Sequence, residues 1–254
     1  MTVFRYDGSF EGFLCAVADC LEAGEKQPEF VRDGDVYSSG LFAGDIHEVT
    51  TVRETALMLR KRFVDAVSQE AFATARYAFH SQKAGIELLV WRYLTLGLQM
   101  GRRLCLMLTE EPVHSVNRIA RHVSHEAHKY KGFVRFREVE AGFLYARIEP
   151  EADILAFIAP HFVGRVGDRR WMIHDLQRNQ AALYDLKSWR LVKEIELAAE
   201  PALSATEHDY AALWQRCFQR HAIAERHNPK LQQQHVPLRY RKQLPEFESD
   251  NDSL

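Results

Sequence analysis

The sequence predicts an α+β fold: a mainly antiparallel sheet of about five strands packed with helices, and a helix-rich N-terminal half. Two observations predict it. Through most of the first 110 residues, apolar side chains recur at the spacing of amphipathic helices. Between residues 133 and 194, short runs with strand character alternate with turn signals.

The N-terminal region, residues 1–110, is predicted to contain a short strand followed by helices. The strand ends at a turn at Asp7-Gly8, and Gly24 supplies the stop signal of the first helix. Apolar periodicity then indicates helices at 52–67, 69–81 and 86–108. Gly97 or Gly101 is expected to interrupt the last of these, because glycine weakens a helix interior.

A further helix is predicted from about Ser115 to Tyr130. Turning successive positions by about 100° separates its apolar residues from its cationic ones. The apolar stripe consists of Val116, Ile119, Ala120, Val123, Ala127 and Tyr130. The cationic face consists of Arg118, Arg121, His122, His125, His128 and Lys129.

The second region, residues 111–247, is predicted to hold the sheet, a C-terminal helix and an extended arm. The strand runs are FVRFREV, FLYARI, RWMIHD, AALYD and WRLVKE, with a helix after Pro150 between the second and the third. Thr206 is the predicted N-cap of the C-terminal helix, and its predicted buried stripe is Tyr210, Leu213, Trp214, Cys217 and His221. Residues 248–254 are predicted to be a disordered acidic tail.

Composition indicates an ordinary globular protein with no membrane partner and no cofactor. The most apolar segment, 86–108, is interrupted by charged residues that are costly at bilayer depth, namely Glu87, Arg92, Arg102 and Arg103. The N-terminus carries no secretory signal pattern, so we expect a cytoplasmic protein. The four cysteines form neither a C-x-x-C pair nor a C-x3-C-x2-C pattern, which predicts neither a zinc site nor an iron-sulfur cluster.

Positive charge is concentrated in two segments of a chain whose formal net charge is -2. Residues 116–137 include six Lys or Arg residues and one acidic residue. Residues 216–242 include seven Lys or Arg residues and one acidic residue. A polyanion is a natural partner for such segments. Strand alternation predicts one outward face of Arg135, Arg137, Tyr145 and Arg147, where Tyr145 would stack on unpaired bases. Solvated surface and a protein-binding surface are the alternatives on charge alone.

The histidines suggest either a metal site or a catalytic site, and the spacing of these residues is not specific for either one. On a helix, His122, His125 and His128 turn through too wide an angle for all three to reach one ion, so no metal site is predicted. His161 is a candidate acid or base without a predicted partner. His174 and Asp175 are adjacent on a strand and would point to opposite faces.

Six stretches carry a resemblance that covers the chain to about Phe247. In chain order they are FRYDGSFEGFLCAV, HKYKGFVRFREV, LYARIEP, APHFVGR, WMIHDLQRNQAALYD and ERHNPKLQQQHVPLRY. Together they resemble a bacterial family, a domain of unknown function, described as DNA repair or DNA metabolism proteins. Its members are typically encoded beside a radical-SAM protein of DNA modification or repair, and a related domain is fused to some uracil-DNA glycosylase-like proteins.

The resemblance implies an accessory nucleic-acid-binding component of a DNA repair or modification system. Its partners would be DNA, single-stranded or damaged, and a radical-SAM protein. The alternatives are an enzyme acting on a modified base or nucleotide with a histidine acid or base, and a protein-protein adaptor. The candidate nucleic-acid-binding residues are His125, His128, Lys131, Arg135, Arg137, Tyr145, Arg147, Arg165, Arg226, Asn228, Arg239 and Tyr240, with His161 as the catalytic candidate.

Overall fold

A computed structural model describes residues 2–35, 45–195, 201–221 and 228–247. The chain forms two compact units, Met1–Ser124 and His125–Leu254, which we call unit 1 and unit 2. The predicted division after residue 110 falls within unit 1. Arg226 and the predicted tail at 248–254 lie outside the described residues.

Unit 1 contains a three-stranded parallel sheet that the sequence did not predict as a sheet. Its strands are β1 (Val3–Tyr6), β2 (Glu29–Arg32) and β3 (Ile46–Glu48), in the order β2-β1-β3. Only the first strand was predicted. The other two have three or four residues and no clear apolar alternation, so the period-two signal of a half-buried strand is missing.

The predicted helices of unit 1 are confirmed. They are α1 (Phe10–Ala23), α2 (Arg53–Ala66), α3 (Gln69–Phe79) and α4 (Ile86–Met100), and a 3-10 helix at Gly101–Leu106 follows α4. The side chain of Ser9 caps α1, and Gly24 ends it in the left-handed region at φ 65°. Gly101, at φ 58°, is where the predicted interruption occurs.

An aromatic core holds α1 to α3. The ring centroids of Phe10 and Phe79 are 5.1 Å apart, as are those of Phe13 and Phe79. Phe10 and Phe72 are 5.8 Å apart, and all four side chains are buried. Each buried aromatic side chain contributes about 1.5–3 kcal/mol through area removed from water, so these contacts fix the relative positions of α1 and α3.

Helix α5 (Glu111–Phe133) is longer than predicted at both ends, and its two faces are as predicted. It belongs to unit 1 up to Ser124 and to unit 2 from His125. Every residue of the predicted apolar stripe is buried. The residues of the cationic face are exposed, except Lys129, which is half-buried.

Unit 2 contains the predicted five-stranded, mainly antiparallel sheet. Its strands are β4 (Arg137–Glu138), β5 (Leu144–Ile148), β6 (Trp171–Asp175), β7 (Gln180–Tyr184) and β8 (Trp189–Lys193), paired in chain order. The β5–β6 pair is parallel, and helix α6 (Leu155–Arg165) forms the crossover between them. β4 is shorter than predicted because α5 extends to Phe133, and the N–H of Val134 still bonds the carbonyl of Tyr130.

The two faces of this sheet are covered differently. Helix α6 packs on the face that carries Trp171, whose indole contacts Phe162 and stacks on Tyr184 at 5.4 Å. The opposite face carries a smaller apolar cluster that contains Tyr145 and Met172. Since strand residues alternate between faces, neighbouring side chains of β5 face two different environments.

The C-terminal part of the described chain is helical, and the predicted extended arm is wrong there. It forms α7 (Ala205–His221), α8 (Pro229–His235) and α9 (Leu238–Arg241), followed by a 3-10 helix at Pro245–Phe247. Asn228 caps α8, and the proline at its first position suits a helix start, which is why a short helix forms where Pro was expected to prevent one.

Two predictions about α7 are also wrong. Its N-terminal cap is Ser204, whose hydroxyl accepts from the N–H of Glu207, rather than Thr206. Tyr210, Leu213 and Trp214 are exposed, at 69%, 61% and 47%, where burial was predicted. The side chains of Cys217 and His221, the other two residues of the predicted stripe, lie outside the described part of the chain. Apolar spacing identifies the apolar side of a helix but does not show whether another element packs against that side.

Within the described residues, none of the helices has the length and apolar character that crossing a bilayer requires.

Candidate nucleic-acid interface

Three basic side chains of unit 2 lie close together, namely Lys131 on the last turns of α5 and His161 and Arg165 on α6. His161 and Arg165 are exposed, and Lys131 is half-buried. The pKa of His161 lies below its ordinary value, first through partial desolvation and then through the positive charges of Lys131 and Arg165. We call these residues the Lys131 cluster.

The charge of this cluster is not neutralised within the described part of the chain. No carboxylate there forms an ion pair with Lys131 or Arg165. Other arginines of unit 2 are paired: Arg169 with Glu138, and Arg178 with Asp175 at 2.9 Å. Unlike Arg169 and Arg178, Lys131 and Arg165 are therefore not offset by a paired carboxylate of the described residues.

Two structural features hold α5 and α6 where the cluster forms. The carboxylate of Glu126, on α5 and only 2% exposed, accepts the N–H of Glu151 at 3.0 Å and that of Ala152 at 2.9 Å. These residues lie in the connection that leads from β5 to α6. Phe136, just beyond α5, packs edge-on against Phe162 of α6 at 5.3 Å. A buried polar anchor and an aromatic contact thus fix the two helices that carry the cluster.

The two arginines of the sheet, Arg137 and Arg147, do not join the cluster. Arg137 pairs in register with Tyr145, and Arg147 lies two residues further along β5. These two arginines therefore share the face of Tyr145, opposite the face on which α6 packs. Arg135 donates to the carbonyl of Gly132 at 2.7 Å and so satisfies the end of α5. Arg137 and Arg147 are half-buried and have partners of their own.

The prediction that Tyr145 projects outward to stack on bases is wrong. Tyr145 is 5% exposed, and its hydroxyl hydrogen-bonds Nδ1 of His174 at 2.9 Å. Burial lowers the pKa of His174, whose Nε2 has no hydrogen-bond partner among the described residues. The expected alternation took no account of the apolar cluster on this face of the sheet, in which Tyr145 packs with Val139 and Met172. Asp175 points to the other side, as predicted, and bonds Arg178.

The C-terminal candidates have structural roles in α8 and α9. Arg239 forms an ion pair with Glu151, and its guanidinium lies 4.8 Å from the ring centroid of Tyr240. Tyr240 is 3% exposed and packs edge-on against Tyr130 at 5.1 Å. Asn228 is the cap of α8. Tyr240 is buried and Arg226 lies outside the described residues, so neither is seen at an exposed basic surface.

His125 and His128 are exposed on α5, as the helical pattern predicts. They are separated by one turn, and Lys131 follows after another three residues. Within the described residues, no group of three or more His, Cys, Asp or Glu side chains is arranged to hold a metal ion. The two histidines thus extend the exposed basic surface of α5 toward the cluster.

Residues 84–246 match the profile of a domain of unknown function, DUF4130. The chain belongs to the DUF4130 family. The matched segment begins just before α4 and includes α5, the whole five-stranded sheet and α6, and so all three residues of the Lys131 cluster. The strands and helices α1 to α3 of unit 1 precede it. No curated protein matches the chain.

Proposed function

We propose that this DUF4130 protein binds nucleic acid through the Lys131 cluster, as an accessory component of a DNA repair or modification system that acts with a radical-SAM partner. The observation that carries the proposal is the grouping of Lys131, His161 and Arg165 on α5 and α6, where no carboxylate among the described residues pairs with the lysine or the arginine. The pKa of His161 is lowered first by partial desolvation and then by these two cations. Lysine and arginine side chains that meet phosphates release counterions, and this release drives most of the sequence-independent affinity for DNA.

A phosphate would also change the protonation of the cluster. A negative charge near His161 would raise the pKa of its imidazole from the lowered value of the free protein. The complex would therefore take up a proton, and affinity would increase as the pH falls through that range. His161 thus acts as a third, pH-dependent cation in the proposed interface.

A catalytic role for His161 is the rival proposal. A general acid or base is commonly oriented by a second group, and no carboxylate among the described residues contacts His161. The two neighbouring cations favour a phosphate contact over proton abstraction. Turnover of a modified nucleotide that is lost in His161→Ala while DNA affinity is retained would establish the enzyme instead.

Protein binding is a second candidate function, favoured by α7. Tyr210, Leu213 and Trp214 lie on one side of this helix and are each about half or more exposed. Aromatic residues are enriched at protein interfaces. Loss of co-purification with a radical-SAM partner in a Leu213→Asp variant would support this function. Unchanged co-purification would exclude α7 as the docking site.

The central experiment measures DNA affinity by fluorescence anisotropy. Labelled single- and double-stranded oligonucleotides are titrated at several salt concentrations with wild type and with Lys131→Ala/Arg165→Ala. The matched control is Lys187→Ala/Lys193→Ala, which removes the same charge from exposed positions at the β7–β8 hairpin. Both variants change the net charge by the same amount, so they separate a local contact from a general electrostatic effect.

The expected result is a lower affinity and a smaller salt dependence for Lys131→Ala/Arg165→Ala alone. Loss of two phosphate contacts should reduce the slope of log affinity against log salt by about 1.4 on single strands or about 1.8 on duplex. No binding by wild type at low salt, or equal effects of the two double variants, would refute the proposal.

A further inference from the structure

Unit 1 contains a cavity of about 340 Å³ between α1, α2 and α3. Residues from one side of each helix line it. Its lining includes Glu11, Arg53, Leu57, Arg60, Phe72 and Arg76. Its volume falls within the range of about 300–1,000 Å³ that is typical of small-molecule sites. It lies in the part of the chain that precedes the DUF4130 match.

Helical spacing explains why three arginines meet in this cavity. Arg53, Leu57 and Arg60 follow one another on α2 at intervals of four and three residues, so they share a side of that helix. Phe72 and Arg76 are four residues apart on α3. The lining therefore carries three guanidinium groups and one carboxylate, that of Glu11. An anion is the ligand that this balance favours.

The starts of two helices add to the positive potential. Glu11 is in the first turn of α1, and Arg53 is the first residue of α2. The N-cap of α2 is Val52, which provides no side-chain acceptor for the first N–H groups. A helix start carries a partial positive charge, which acts in the same direction as the arginines.

Apart from Gln69, apolar groups form the rest of the lining, and they favour an organic anion over an inorganic one. Leu57 lines the cavity and is 47% exposed, so part of the surface that a ligand would meet is apolar. The guanidinium of Arg60 lies 5.9 Å from the ring centroid of Phe72, which leaves its N–H groups available for a ligand. A phosphate group can meet the arginines while an apolar or ring portion contacts Leu57.

We propose that this cavity binds a small phosphorylated organic molecule of nucleotide size. The arginines would hold the phosphate by paired N–H···O bonds, and Leu57 and the edge of Phe72 would contact the ring portion. This site is separate from the Lys131 cluster, and the proposal does not depend on nucleic-acid binding by unit 2.

Isothermal titration calorimetry on the full chain tests it with adenosine 5′-monophosphate, adenosine and inorganic phosphate. The variants are Arg53→Gln, Arg60→Gln and Leu57→Glu. The matched control is Arg62→Gln, because Arg62 is exposed on the same helix but does not line this cavity. Thermal unfolding of each variant shows that unit 1 still folds.

The expected result is that the nucleotide binds more tightly than either fragment. Loss of one charge-assisted contact in Arg53→Gln or Arg60→Gln should weaken binding about tenfold or more. Leu57→Glu should weaken it as well, while Arg62→Gln binds as wild type does.

Three outcomes would overturn the proposal. One is that none of the three probes binds at millimolar concentration. Another is equal affinity for the nucleotide and for inorganic phosphate, since the apolar part of the lining would then contribute nothing. The last is an affinity for single-stranded DNA that depends on Arg53 and Arg60 in the absence of nucleotide binding, which would make the cavity part of a nucleic-acid surface.

Discussion

Glu126 provides the sharpest test of how unit 2 holds its candidate site. Its carboxylate is buried and accepts the N–H groups of Glu151 and Ala152. Removing the carboxylate by Glu126→Ala leaves both N–H groups without this acceptor, and it also leaves a cavity. Glu126→Gln keeps one acceptor oxygen and presents an N–H group where the second oxygen was. The two variants therefore remove different numbers of hydrogen bonds.

The magnitude follows from counting these bonds. A hydrogen bond to a charged group contributes about 1.5–3 kcal/mol, and a buried donor left unsatisfied costs about 1–3 kcal/mol. Glu126→Ala should therefore lower the free energy of unfolding of unit 2 by about 3 kcal/mol or more. Glu126→Gln should lower it by about 1–3 kcal/mol. His125→Ala, at the adjacent exposed position, should stay within about 0.5 kcal/mol of wild type.

Hydrogen exchange measured by mass spectrometry gives the local readout, with urea unfolding as the global one. The peptide that contains Glu151 and Ala152 should lose protection in Glu126→Ala, and less so in Glu126→Gln. Affinity for DNA should fall in parallel, because the same connection leads to α6, which carries His161 and Arg165. Wild-type protection of these two amides in Glu126→Ala would refute the reasoning.

Two further predictions concern stability. The folded-state pKa of His174 is lowered, so the unfolded chain binds a proton that the folded chain does not, and stability should decrease as the pH falls below about 6.5. His174→Gln should reduce that decrease, and equal urea midpoint shifts between pH 7.5 and 5.5 in both proteins would contradict it. Gly97→Ala should destabilise unit 1 by about 1–3 kcal/mol, because the added methyl would meet the ring of Phe63 and lie 3.0 Å from Leu104. A thermal midpoint at or above that of wild type would show that the ring can move aside.

The sequence by itself determined the elements whose signal is local. Gly24 ends α1 at φ 65° because glycine, which has no Cβ, readily adopts this backbone conformation. This preference is intrinsic to glycine and does not depend on tertiary contacts. The buried stripe of α5 followed from spacing alone, because helical geometry places such residues on one side in any context. The five strands of unit 2 were visible for the same reason, through alternation and turn residues.

Tertiary structure decided which side chains meet and which are covered. Tyr145 is buried by the apolar cluster on its face of the sheet, and α7 leaves Tyr210 exposed, although both patterns predicted the reverse. Arg53 and Arg76 line the same cavity although 23 positions separate them in the chain. No run of basic residues in the sequence therefore indicates this site. Periodicity states which residues share a side of an element. Only packing determines what lies opposite that side, because burial depends on contacts between residues far apart in sequence.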